Sequence, residues 1–363
     1  MIRKRLVLFF SIYLFALRFT LTLFEIKFDV AMPSEVLVLL SSTLVMVVLS
    51  LKFMPKKIVL FSILFIIFSL ISVGFSYDYI PGEEYKILSI STISYIFLYP
   101  LLFFLGNLWI TLDLRSLKIV LICSSLLWII NLILIYFFAS NSLYEFLQEV
   151  SYIYLSEGLL LTILLCSIFL KQKKKYLELP LLSGFLLIPS RAAFLLALSS
   201  LSIRNKFILV LILLSGYLYV SDTLEYLNFD SISMRLINFG SNDDSLSERS
   251  ILFNSNLNDL RDSPMFGKFL GDYLVYRKSG GYFHNILWIY HYYGIFSFLI
   301  YLYALLSIFF RKVFFIKYYW KLLFFVLGFS LIRGPGTYSL IFVMGLLYGS
   351  KYYLSSNYKA YNV

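Results

Sequence analysis

The segment IVLFSILFIIFSLISVGF, Ile58 to Phe75, decides the fold. It carries no charge over eighteen residues and follows Lys56 and Lys57. At about 1.5 Å per residue, a helix of this length approaches the roughly 30 Å of a hydrocarbon layer. Runs of the same kind recur at Val36–Leu51 and Leu117–Phe138. Lipid tolerates only backbones whose amides and carbonyls are paired internally, which leaves helices and closed barrels. None of these runs alternates apolar and polar residues with period two, so they are read as helices. The composition of the 363-residue chain agrees: 60% apolar, 20% aromatic and 14% charged describes a polytopic membrane protein rather than a soluble domain with a large core.

Charge sets the expected orientation. The net charge of +11 comes from clusters at Arg3–Arg5, Lys52–Lys57, Lys171–Lys175, Arg204–Lys206, Arg311–Lys321 and Lys351–Lys359. They occupy every second boundary between apolar runs, while the other boundaries, Glu25–Glu35, Asp78–Glu84 and Tyr144–Glu149, are acidic or neutral. This is the positive-inside pattern, so the basic excess reports topology and argues against a nucleic-acid partner. With the clusters as punctuation the chain predicts about twelve transmembrane helices. They fall near 6–24, 35–51, 57–75, 87–105, 117–138, 151–170, 176–189, 191–203, 207–220, 284–310, 319–332 and 335–352, with both termini cytoplasmic. The first run follows Arg3–Arg5 but lacks a small-residue cleavage site, and is read as a retained helix. Cys123 and Cys166 fall inside expected spans and offer neither a disulfide framework nor metal-ligand spacing.

Two features break the regularity. The apolar stretch Tyr176–Ser202 is too long for one helix and short for two, and IPSRAA interrupts it; this is either a tight turn or a broken helix carrying Arg191. The second is the long polar segment Ser221–Phe283 between spans nine and ten, on the same outer side. The chain therefore divides into a nine-helix membrane region (1–220), a large extracytoplasmic loop (221–283) and a three-helix membrane region (284–363). Within the loop, DSLSERSILFNSNLNDLRDSPMFG predicts a helix. Ser245 and Glu248 form a capping box, Phe253, Leu257 and Leu260 share a face, and Pro264 ends it. Arg249 in its first turn opposes the helix dipole, a penalty that a nearby anion would offset.

No P-loop, dinucleotide fingerprint, HExxH or paired zinc ligands occur, and no cofactor or metal is expected. Asn242–Asp244 is a solvated turn rather than a cation site. The polar residues expected on one side of the membrane are Arg191, Arg235, Arg249, Arg261, His284 with Asn285, and Arg333. Convergent guanidinium forks match phosphate oxygens and keep their charge, so these arginines would suit a pyrophosphate. Each also has a plainer reading, as an interfacial or solvated charge. Imidazole at His284 suits proton transfer near neutral pH. His291 lies about 10 Å deeper on the same helix and is read as a hydrogen-bonded structural residue. Arg18 and Glu157 are costly in lipid, so each should face the protein interior or a polar cavity.

The order of these features resembles the O-antigen polymerase and ligase superfamily, polytopic enzymes that handle undecaprenyl-pyrophosphate-linked glycans. The resemblance covers the architecture of the whole chain and is sharpest from Pro189 to Ile300. IPSRAAFLL is similar to the family's Ser-Arg segment after the seventh span. SERSILFNSNLNDLRDSPMFGKFLG is similar to its arginine-started loop helix followed by Pro and a Phe-Gly pair. HNILWIYHYYGIFSFLIYL is similar to its His-Asn start of the tenth helix, with Gly294 at the usual later position and Ser297 where a second glycine is common.

The resemblance implies a GT-C-like membrane fold in a bacterial inner membrane and an inverting, metal-independent glycosyl transfer. An acceptor hydroxyl would attack the anomeric carbon of a donor linked to undecaprenyl pyrophosphate, which leaves. Arg191 and Arg249 would stabilise the pyrophosphate and His284 would orient or deprotonate the acceptor. Asn285 would fix local geometry, with Arg235, Arg261 and Arg333 as further substrate contacts. Compactness and a short outer loop favour a polymerase of O-antigen or capsular repeat units. The alternative is a ligase that transfers the glycan to lipid A-core; a flippase for the same lipid-linked unit ranks third. The partners expected are the lipid-linked oligosaccharide, membrane lipid and a chain-length regulator protein.

Overall fold

The computed structural model describes residues 2–28, 56–77, 83–109, 112–138, 152–170, 177–188, 190, 193–194, 196–197, 244–271, 286–309, 319–332 and 338–357. Among them every regular element is a helix. We number them α1 (Ile2–Ile12), running through a π turn (Tyr13–Leu17) into α2 (Arg18–Phe28), then α3 (Lys56–Ser76), α4 (Glu83–Trp109) and α5 (Leu114–Phe138). There follow α6 (Tyr152–Phe169), α7 (Glu178–Leu187), α8 (Asp244–Asp262), α9 (Leu287–Phe309), α10 (Tyr319–Ile332) and α11 (Tyr338–Asn357). Among the described residues five stretches are long and apolar enough to cross a membrane: Val7–Phe24, Lys56–Ser76, Leu88–Trp109, Arg115–Phe138 and Leu287–Ile308. The protein is an all-α membrane protein. The spans expected at 35–51 and 207–220 lie outside the described residues, and that at 191–203 is described at only a few positions.

The chain forms two compact units that interleave in sequence: Met1–Met32 with Leu112–Ser241, and Pro33–Thr111 with Asn242–Val363. In the first, the π turn widens the helix and turns backbone carbonyls outward, where α5 supplies donors. Trp128 Nε1 donates to the Phe15 carbonyl at 2.7 Å, and Asn131 Nδ2 to the Ala16 carbonyl at 3.2 Å. Thr20 Oγ1 donates in turn to Asn131 Oδ1 at 2.7 Å. Gly158 on α6 lets Phe19 and Trp128 come close; a methyl group there would collide with the Phe19 ring. Arg18 and Glu157 are both buried, as their cost in lipid requires.

The PSR interruption belongs to this unit. α7 ends at Leu187, the Ser190 amide donates to the Ile188 carbonyl at 2.9 Å, and the Phe194 amide donates to the Ser190 carbonyl at 2.9 Å. Phe185 meets Phe194 edge-on at 5.9 Å. Pro189 and Arg191, which separate the two forms open to the sequence, lie outside the described residues.

In the second unit α4 and α11 lie backbone against backbone. A methyl group on Gly106 would run into the Phe342 carbonyl, one on Gly345 into the Phe103 carbonyl, and one on Gly349 would stand 2.9 Å from the Asn107 carbonyl. Small residues at these contacts are what allow two helices in lipid to gain dispersion energy. α3 packs on α9, with Phe68 stacked on Phe296 at 5.1 Å and Ser69 Oγ 2.8 Å from Ser297 Oγ. Leu60, Ile63, Ile67, Leu70, Ile71 and Phe75 of α3 are exposed, an apolar surface suited to lipid.

Candidate functional site

The loop helix expected from DSLSERSILFNSNLNDLRDSPMFG forms as α8, and Pro264 follows its end, but it starts at Asp244, so Ser245 lies inside the helix instead of capping it and Arg249 stands beyond the first turn. Its buried face differs from the expected one. Leu260 is buried and Leu257 half-buried, but Phe253 is exposed, and the other buried side chains among those described are Asn256 and Asp259. Positions 256, 259 and 260 share one face by their spacing of three and four. That face is polar because its partners are polar.

Those partners lie on α9 and on the segment Ser263–Gly271. Asp259 Oδ1 accepts from Lys268 Nζ at 2.9 Å, and Asp259 Oδ2 lies 3.3 Å from Nε2 of the wholly buried His291. An ionised carboxylate only accepts, so Nε2 carries the hydrogen. Burial pushes the Asp259 carboxyl up, but the hydrogen bonds from His291 and Lys268 outweigh it and hold the group below the usual carboxylate range.

α9 is opened where the segment meets it. Gly294 takes φ 78° and ψ 173°, a conformation essentially reserved for glycine. In an unbroken helix the Ile295 amide would bond the His291 carbonyl. Here the Ile295 amide donates to the Met265 carbonyl at 3.1 Å, and the His291 carbonyl accepts from the Lys268 amide at 2.7 Å. The segment thus takes both ends of one opened helical bond. Gly267, at φ 69°, makes this approach possible: a methyl group there would lie 2.6 Å from the Tyr290 carbonyl. Tyr290 donates its hydroxyl hydrogen to the Pro264 carbonyl at 2.7 Å, and the Phe269 amide donates to Ser76 Oγ at 3.3 Å.

Aromatic rings surround this junction. Trp288 lies 4.9 Å from Tyr292, 5.6 Å from Tyr293 and 6.2 Å from Tyr99, while Phe266 stacks on Phe75 at 4.6 Å. In the same unit Phe65, Tyr99, Phe103, Tyr301 and Tyr348 line an apolar groove of about 640 Å³, measured to its open mouth. Among the described residues no three His, Cys, Asp or Glu side chains gather as a metal site.

Of the residues singled out from the sequence, Arg191, Arg235, His284, Asn285 and Arg333 lie outside the described residues. Arg249 stands within the first two turns of α8, and Arg261 is exposed in its last turn. His291 makes the structural hydrogen bond expected of it, to a partner that the sequence reading does not name. No protein-family model, curated protein or solved structure matches the chain. Asp259 and Lys268 escaped the sequence reading. The signal available for Asp259 was its place beside Asn256 and Leu260 on a helix otherwise parsed by its apolar residues.

Proposed function

We propose that this protein is a membrane glycosyltransferase that joins undecaprenyl-pyrophosphate-linked repeat units of an O-antigen or capsular polysaccharide. The chemistry is an inverting transfer at the outer face of a bacterial inner membrane. An acceptor hydroxyl attacks the anomeric carbon, the carbon–oxygen bond to the lipid pyrophosphate breaks, and the pyrophosphate leaves with its added charge. Arg191 and Arg249 hold that charge, an electrostatic contribution of a kind worth about 3 kcal/mol per donor in a water-poor site. His284 orients the acceptor hydroxyl or takes its proton, and Asn285 fixes the local geometry. Arg235, Arg261 and Arg333 contact the remainder of the substrate, and both termini lie in the cytoplasm. A chain-length regulator is the protein partner of this reading.

The observation that carries the proposal is the folding of α8, the helix bearing Arg249, onto α9 at the turn holding His291, seven residues after His284. The helix that supplies a candidate pyrophosphate ligand is thereby tied to the helix that the candidate base precedes. The sequence resemblance supplies the reaction.

The test is deletion of the gene followed by complementation with the His284→Ala and Arg191→Ala chains. A polymerase leaves lipid A-core capped by single repeat units on a gel, and neither variant restores polymer while lipid-linked units are delivered normally. A ligase leaves core bare with lipid-linked polymer accumulating, and a flippase traps lipid-linked units on the cytoplasmic side. Undiminished polymer from both variants would remove these residues from the site.

A further inference from the structure

We propose that Asp259, Lys268 and His291 are positioning residues that fix the tilt of α8, and so the placement of Arg249, for the transfer reaction; this rests on the glycosyltransferase reading above. The C-terminal half of α8 is fastened. Among its described side chains the buried ones are Asn256, Asp259 and Leu260, all in the C-terminal half, while Ile251, Phe253 and Asn254 are exposed. Just beyond that end the chain is keyed into α9 by the Lys268 amide on the His291 carbonyl and the Ile295 amide on the Met265 carbonyl.

The geometry makes α8 a lever. Arg249 precedes Asp259 by ten residues, about 15 Å along the helix axis at 1.5 Å per residue. A change of about 10° at the fastened end moves the Arg249 backbone by roughly 2.5 Å over that length. A misplacement of about 1 Å can cost on the order of a hundredfold in rate, so a loosened clamp should be felt at the chemistry.

Side chains of α8 itself add to these backbone bonds. Asp259 bonds both partners, Lys268 with one oxygen and His291 with the other. His291 lies on α9 itself, so this contact ties helix to helix directly, whereas Lys268 ties the helix to the keyed segment. None of the three needs to touch substrate.

The experiment uses the full chain in lipid nanodiscs, with Cys123 and Cys166 replaced and nitroxides at Ile251→Cys and Leu299→Cys, two exposed positions on α8 and α9. Electron–electron distances report the lever, and turnover of extracted lipid-pyrophosphate-linked repeat units reports the reaction. Asp259→Asn and His291→Leu should broaden the distance distribution and lower kcat about 10- to 100-fold, with KM for the donor changing less than about threefold. Lys268→Arg should retain a narrow distribution and most of the turnover, and Lys268→Met offers a milder break if a core variant fails to fold. A broadened distribution with unchanged kcat would overturn the proposal, as would lost kcat with an unchanged distribution, which would put the residues in contact with the reacting groups. If the unmutated chain elongates no glycan, the transferase reading fails and this role with it, while the distance arm still decides whether the three side chains hold the helix.

Discussion

Ile295 gives its amide hydrogen to the Met265 carbonyl across an opened turn of α9, at 3.1 Å, and the helix is broken at Gly294, the residue just before that amide. The two facts are one device. A transmembrane helix can lose a backbone bond only where another group takes both of its ends, and here a loop segment does so.

Gly294 should therefore be intolerant of substitution. Gly294→Ala places a side chain at φ 78°, ψ 173°, a region that costs about 1–3 kcal/mol for other residues. The new methyl would also press on Ser72 Oγ and lie 2.7 Å from the Met265 carbonyl. The expected result is a loss of at least this much stability in an SDS titration of the purified chain; an unchanged midpoint would mean that α9 is not broken there.

The clamp should weaken in acid. Asp259 titrates below the ordinary carboxylate value in the folded chain, so its ionised form favours the docked state. A depressed carboxylate contributes stability that is complete above its unfolded pKa, about 4, and is lost as pH falls through the lower folded value. Protection factors for hydrogen exchange at the Gly267, Lys268 and Ile295 amides, taken against the intrinsic rate at each pH, should fall below about pH 4 and stay flat above it. Asp259→Asn should show the lower protection at every pH and no such step.

Arg249→Lys tests the fork rather than the charge. Lysine keeps the positive charge but loses the planar pair of donors that matches phosphate oxygens. On the proposed reaction polymer yield should fall at least about tenfold, with Arg249→Ala falling on the order of a hundredfold or more. Equal polymer from the arginine and lysine chains would leave only a general electrostatic role for this position.

How much of this was legible beforehand depends on whether the cause is local. The span at 57–75 follows from an uninterrupted apolar run, and α8 from its spacing and Pro264, since both signals lie within the element itself. The burial of Arg18 and Glu157 follows from the cost of charge in lipid. The Asp259–His291 contact joins residues 32 apart in sequence, and the polar face of α8 makes sense only once its partner is known. Gly345 and Gly349, four apart in an apolar helix, were a readable sign of close helix packing, but the backbone they meet, at Phe103 and Asn107 of α4, was not. The break in α9 was the hardest to foresee, because Gly294 sits in an otherwise ordinary apolar run and its cause is the segment around Gly267.

The π turn in the first unit makes a separate prediction. Trp128→Phe keeps the ring but removes the donor to the Phe15 carbonyl, leaving a buried acceptor without that partner. The expected cost is about 1–3 kcal/mol. It would be read as an earlier unfolding transition in detergent, and a stability equal to the parent chain would show that the carbonyl finds another donor.

Ser297 stands where the resembling family often carries glycine, and the structure gives it a partner. Its side chain is fully buried, and its Oγ lies 2.8 Å from Ser69 Oγ, joining α9 to α3 one turn below the opened bond. Ser297→Gly removes that bond and leaves the Ser69 hydroxyl facing hydrocarbon, while adding backbone freedom next to an already broken turn. Hydrogen bonds between helices in lipid average about 0.6 kcal/mol and reach about 1.7, and the glycine adds up to about 1 kcal/mol more. The single variant should thus lose between about 1 and 3 kcal/mol in an SDS titration. Ser69→Ala in the same background should add little, because the partner is already gone. If the two losses instead sum, the hydroxyls act independently and the contact does not couple the helices.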